Sequence, residues 1–426
     1  MRRVFLDHWW TSHSEKLALA CLREALYVDG IDLVDCAANA DAEACVMSAQ
    51  RIWDGVCGSG PRPIDLGSFL TPYDLESRVF APFKAVNSPS KLALFGVPLG
   101  AFRNNIMWAN REIADRIGSP PTTHAEWLEW LARASKLVPY PIRLGREDWQ
   151  LSLLFELIVL SMHGADFHRR AFGMSLSSAL ASPRMRESLN YLKDMARYIS
   201  PYEESAAWHV AAADCRTGKC AVAIIGDWAH IEFCDGTSTD SSGSYRSVYK
   251  WTAPGTETSF LFNVDYVVPV ERERGFRNDE VLAKLTQTLL RPEVQGEFGL
   301  IKGALPAVRD ATTTMIDSSS WKMFHLAGLC PDLLLPSMSQ LQGSSRSMRD
   351  GVATAVRYVI HADGDTAKAH AFLRMLGGRP SAQEHRSFPT CALEEHDSES
   401  YRRSLSSRVS LASSMRTEIS RSVAPH

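Results

Sequence analysis

The chain has 426 residues, 45% apolar and 22% charged, with 46 basic against 49 acidic side chains and a formal charge of −3. That is ordinary composition for a folded soluble protein and leaves room for two domains and an appendage. So even a balance gives no electrostatic reason for nucleic acid or an anionic membrane as partner. The longest apolar stretch, Leu151–Met162, is broken by Glu156 and too short to cross a bilayer, so it reads as a buried helix.

In chain order, Val4–His8 predicts a strand and Ser14–Tyr27 a helix, with Leu17, Ala20, Cys21 and Ala25 at helical spacing. Ile31–Cys36 predicts a second strand, and Asp41–Trp53 a second helix closed by Gly55. This alternation implies a parallel sheet covered by helices. From Cys57 to Ser90 the pattern weakens, and Lys91–Leu99 reads as a strand. Thr123 with Glu126 three residues on makes a capping box, starting a helix over Ala125–Leu137 whose buried face carries Trp127 and Trp130. Trp149–His163 and Met185–Ile199 predict further helices, and Cys220–Ile225 a strand ending at Gly226-Asp227. Asp235–Arg246 is a polar loop, Phe260–Val270 a long strand, and Asp279–Met375 helices with short breaks. The last stretch, Ser381–His426, holds 12 Ser and 6 Arg with few large apolar residues; such a segment cannot offset its ordering entropy, so a disordered tail is expected.

The first residues lack the long apolar run of a secretory signal. Nine cysteines (Cys21, Cys36, Cys45, Cys57, Cys215, Cys220, Cys234, Cys330, Cys391) are odd in number and irregular in spacing. Taken at face value, both features lead to the expectation of a reducing, cytoplasmic compartment.

Catalytic patterns are weak. Gly58-Ser59-Gly60 lacks the lysine and the strand–helix setting of a phosphate loop, and no G-x-S-x-G or H-E-x-x-H pattern occurs. Cys215 and Cys220 are spaced wrongly for zinc or a redox pair, while His163, Asp166 and His168 match no standard metal set and flank a helix-breaking Gly164. No cofactor, metal or turnover is expected. The tandem Trp9-Trp10 is different, because it falls where the first strand meets the first helix, the end of an α/β sheet at which ligands bind. Two adjacent indoles cannot both face one core, so at least one should face a cleft or partner. Glu15 nearby can accept hydroxyl hydrogen bonds, and Trp208 and Trp228 lie at element ends as well.

Several segments together resemble the glucose- and mannose-type sugar-binding subunits of bacterial ABC transporters, in family 1 of the extracellular solute-binding proteins. They are His8-Trp9-Trp10-Thr11-Ser12 with Glu15, Gly164–Phe172, Gly226-Asp227-Trp228-Ala229 with Glu232-Phe233, Phe260–Asp265, Lys302-Gly303 with Pro306, and Leu335-Pro336-Ser337-Met338, in the same order over residues 4 to 378. The resemblance implies an α/β, two-lobed periplasmic-binding-protein fold with a cleft between lobes joined by crossing strands. It implies a first lobe from 1–108 and 261–312 and a second from 109–260 and 313–379, leaving 380–426 as the Ser/Arg-rich tail. By position it implies Trp9, Trp10, Glu15, Trp208, Trp228, Asp265 and Lys302 as ligand-binding residues.

Its implied function is import of a monosaccharide or small oligosaccharide, as a monomer partnered by permease subunits, in the periplasm. Phe102 and Gln340 stand where the family has histidines, and the 57–90 region is short, so a shifted or weakened specificity is expected. The alternative is an intracellular sensor or interaction protein on a decayed sugar-binding scaffold.

Overall fold

The computed structural model describes residues 1–36, 42–56, 58, 60–71, 78–80, 82–83, 95–145, 147–173, 176–201, 207–234, 245–271, 278–311, 333–341, 346–361 and 364–377. The Ser/Arg-rich tail, most of the polar 235–246 loop, much of 57–94, and Cys57, Cys330 and Cys391 lie outside them. The other six cysteines are free thiols.

The first sheet begins as the alternation predicts. Strand β1 (Arg2–Asp7) is parallel to β2 (Ile31–Asp35) on one side and to β3 (Ala44–Met47) on the other. Here the sequence reading needs a correction, because Asp41–Trp53 is not one helix. Ala44–Met47 is buried throughout and forms the strand β3, and the helix α2 covers only Ala49–Val56. Its apolar residues have helical spacing as well as strand character, and a strand buried on both faces carries no alternation to reveal it.

Nor is the sheet wholly parallel. The long β9 (Phe260–Pro269) lies antiparallel between β3 and β4 (Val97–Arg103). The β4 strand starts six residues later than Lys91, and the short β10 (Leu305–Pro306) and β11 (Leu334–Pro336) pair with β4 and β9. A second sheet has the order β6 (Ile142–Arg143), β7 (Val222–Ile224), β5 (Ile106–Asn110), β8 (Val248–Thr252).

Helix α1 (His13–Val28) packs on the first sheet. Ser12 and Glu15 form a reciprocal capping box at its start. Its buried face is Ala18, Leu19, Leu22 and Leu26; Leu17 is turned outward, so the sheet selected a face one step round from the expected one. The helices α10 (Asp279–Leu289) and α11 (Pro292–Lys302) complete this side, where Leu285 and Phe298 join Val4, Leu6, Val46, Leu99 and Val268 in one core.

The second core is largely helical. It unites α3 (Arg111–Ile117), α4 (His124–Ala134), α5 (Asp148–Phe172), α6 (Leu176–Leu180), α7 (Pro183–Ala196), α12 (Arg346–His361) and α13 (Thr366–Gly377). Trp127 and Trp130 are buried in it, on the face the periodicity gave. Thr123 caps α4 through the Glu126 amide, whereas the Glu126 carboxylate accepts from Thr122 rather than closing the box. The apolar Leu151–Leu160 run is buried in this core, and α5 kinks at Gly164, with φ 76° and ψ 176°. A third, smaller cluster gathers Trp108, Trp208 and Phe233 around α8 (Trp208–Arg216) and α9 (His230–Phe233).

Among the described residues two chain crossings run side by side between the cores, and Asn105 pins them. Its fully buried amide nitrogen donates to Thr256 O and Oγ1 and to Ser259 O at 3.0–3.1 Å, while its oxygen accepts from Leu261 N and Arg103 Nε. Every polar atom of the side chain is thus answered within the crossing.

Candidate functional site

Between the two cores lies a cleft of about 540 Å³. Its floor is the crossing strands; one wall comes from the β1–α1 turn, α2 and the end of α11, and the other from the start of α5, α8, α12 and the Gly226–Ala229 turn.

The β1–α1 turn divides the tandem indoles. Trp9 is 39% exposed on the cleft wall, and the Arg51 guanidinium lies 5.3 Å from its ring centroid. Trp10 is buried, packs on Phe298, and donates through Nε1 to Asp265 Oδ2 at 3.3 Å. It is not on the cleft surface; it holds Asp265 from beneath.

Glu15 has two tasks. Oε2 accepts from the Thr11 and Ser12 amides at 2.8 and 2.9 Å, and Oε1 faces Lys302 Nζ at 3.4 Å. Lys302, the last residue of α11, is almost fully buried with its ammonium 5.5 Å from the Phe102 ring centroid and 5.8 Å from that of Trp10. Burial drives the Glu15 carboxyl upward, but Lys302 and the amide donors outweigh it and hold it below its usual value. Asp265 lacks those donors. Burial lifts it to about 6, with Lys302 opposing and Glu15 reinforcing the rise.

On the facing wall Trp228 is half-buried and packs against all three cores. Gly226 makes this possible, since a Cβ there would sit 2.1 Å from the Trp228 ring. The Trp228 ring meets Phe102 edge-on at 6.1 Å and Trp149 at 5.5 Å between centroids. Trp208 borders the cleft but is itself buried among Trp108-side apolar groups. Six of the seven sequence candidates therefore border one cleft, with Trp10 directly behind it.

Sequence reasoning missed Trp149, 38% exposed at the mouth, and Arg51, Asn104 and Asn263. Trp149 read as an ordinary residue at a helix start, and the amides carried no spacing signal. Glu156, hidden in an apolar run, lines the cleft, and its Oε1 accepts from the Met338 amide at 2.6 Å and faces His168 Nε2 at 2.7 Å. His163 instead faces Arg184 O and Ser188, and Asp166 pairs with Arg169, so the three residues considered together in the sequence point three ways. Among the described residues no group of three or more His, Cys, Asp or Glu is placed to hold a metal ion. Gln340 is buried and donates to Val264 O at 3.0 Å, fastening its segment to β9. Phe102 does line the cleft.

No family model matches the chain. A protein of Mesorhizobium japonicum named "Probable sugar-binding periplasmic protein" is 27% identical over 345 residues, 76% of this chain and 80% of that one. An ABC transporter extracellular-binding protein of Pyrococcus horikoshii is 23% identical over 250 residues, covering 58% of this chain and 54% of its own. Among solved structures, a chitin oligosaccharide binding protein superposes with a TM-score of 0.71 at 16% identity, over 88% of this chain and 98% of its own. The fold is thus the two-lobed one of solute-binding proteins, and the resemblance read in the sequence is borne out by these relatives.

Proposed function

We propose that this chain, with a solute-binding-protein fold and relatives named for sugar binding and ABC transport, is the sugar-binding subunit of a carbohydrate importer. On this reading it works in the periplasm as a monomer, captures a neutral sugar between its lobes without turning it over, and hands it to permease subunits. We assign the lobes to 1–108 with 261–312 and to 109–260 with 313–379. One observation carries the reading: indoles from both walls, Trp9 opposite Trp149 and Trp228, border one cleft with a buried Asp265–Lys302–Glu15 cluster. Indole faces cover the apolar face of a pyranose, while carboxylates and an ammonium take its hydroxyls. Glu15 with Lys302 and Asp148 with Arg357 are already ion-paired, which favours an uncharged ligand.

The test is a thermal-shift screen against neutral mono- and disaccharides. A sugar at about a hundred times its Kd adds about 2.7 kcal/mol of stability. Trp228→Ala should abolish the shift, and Trp9→Ala should diminish the shift by a disaccharide while leaving the unliganded Tm near that of the wild type. Trp10→Ala should instead cost about 3–5 kcal/mol of stability, because it empties a core position. If no sugar shifts the Tm, the reading fails.

A further inference from the structure

The cleft carries aromatic side chains on both walls. On the second wall Phe102, Trp228 and Trp149 form a continuous aromatic series, with successive centroids 6.1 and 5.5 Å apart and ring planes 81° and 70° to each other. Exposure rises along it: Phe102 is buried at the floor, Trp228 is half-buried, and Trp149 is 38% exposed at the mouth. On the opposite wall Trp9 is 39% exposed, with the Arg51 guanidinium 5.3 Å from its ring centroid. Trp228 and Trp149 are turned edge to face, so their faces cannot serve one planar ring together; each offers its own platform.

The floor supplies the second, independent observation. Asn104 is 6% exposed, lines the cleft, and its Oδ1 is buried without a hydrogen-bond partner. Asn263, across the strand pair, also lines the cleft with an unpartnered buried Oδ1. Leaving a buried amide oxygen unmet is costly, so a ligand donor that reaches these oxygens relieves a cost the unliganded protein carries. Phe102 on β4, in register with Asn263 on β9, offers no polar atom, so the amides supply the polar groups at the floor.

We propose that the cleft holds two consecutive sugar rings: an inner one hydrogen-bonded by Asn104 and Asn263 beside Trp228, and an outer one stacked by Trp149 and Trp9 at the mouth. The ligand is accordingly a neutral disaccharide or longer oligosaccharide. This rests on the sugar-binding reading above.

Titration calorimetry with the wild-type protein, on matched mono-, di- and trisaccharides of the sugar that raises its Tm, tests it. The disaccharide should bind at least about tenfold tighter than its monosaccharide, the worth of one added aromatic platform. Trp149→Ala should remove that advantage and leave the monosaccharide Kd within about twofold. Asn104→Ala should weaken mono- and disaccharide alike by about tenfold without lowering the unliganded Tm. Equal affinity for one ring and two, or a Trp149→Ala variant that keeps the disaccharide advantage, overturns the two-ring site while sugar binding stands. An Asn104→Ala variant with wild-type affinity for both overturns the inner subsite. Failure of the wild type to bind any sugar overturns the sugar-binding reading itself.

Discussion

At the scale of single residues, the cleft floor confines one ammonium between two carboxylates. Lys302 pairs with Glu15, and Asp265 receives only the Trp10 indole and the more distant field of Lys302. A carboxyl whose folded pKa lies above its unfolded value keeps a proton in the folded state that the unfolded chain has lost. Its contribution therefore erodes as pH rises from about 4 to about 6, a shift that corresponds to about 3 kcal/mol. Asp265→Asn should abolish this loss, so the variant gains stability over the wild type between pH 4 and 7, measured by urea denaturation at each pH. Glu15 has the opposite sign, since its lowered pKa gives stability above its usual value that fades on acidification. On the proposed reading, the charged form of Asp265 is the one that takes a ligand hydroxyl. Hydroxyls donate to a carboxylate better than to a carboxylic acid, so sugar affinity should fall as pH drops below about 6, and calorimetry across pH reads it directly.

At the scale of elements, the N-terminal third of α5 brings Trp149, Ser152 and Glu156 to the cleft wall, and the kink at Gly164 returns His168 to hydrogen-bond Glu156. With φ 76° and ψ 176°, Gly164 occupies a region open almost only to glycine. Gly164→Ala should cost about 1–3 kcal/mol by denaturant unfolding and loosen the Glu156 carboxylate at the wall. That break was legible in the sequence because glycine in a helical pattern is a local signal. Strand β3 was not, because Ala44–Met47 is hydrophobic on both faces and only its neighbours β1 and β9 settle that it is extended.

For the whole molecule, two of the chain passages that join the cores are pinned together by Asn105. Arg103, next to Asn105, links them further: its amide donates to Asp227 and its guanidinium to Thr252. Asn105→Ala leaves buried backbone groups of the crossings unmet and should lower unfolding free energy by about 1–3 kcal/mol. Closure over a sugar brings both walls onto one ligand, so the radius of gyration measured by X-ray scattering should fall when the sugar is added. An unchanged radius with sugar bound would show capture without closure.

The sequence by itself determined the α/β class, the opening strand–helix order, the buried faces of α4 and the position of the tandem indoles. These follow from periodicity, capping and turn residues, which act over a few positions of chain. Tertiary structure decided the rest: that Trp9 faces the cleft while Trp10 supports Asp265, and that Gln340 fastens a strand. It also placed Trp149, Arg51, Asn104 and Asn263 beside residues far away in sequence. Which side of an indole meets a core, and which amide is left unpaired, depends on what packs against it from elsewhere in the chain, and no local pattern records that.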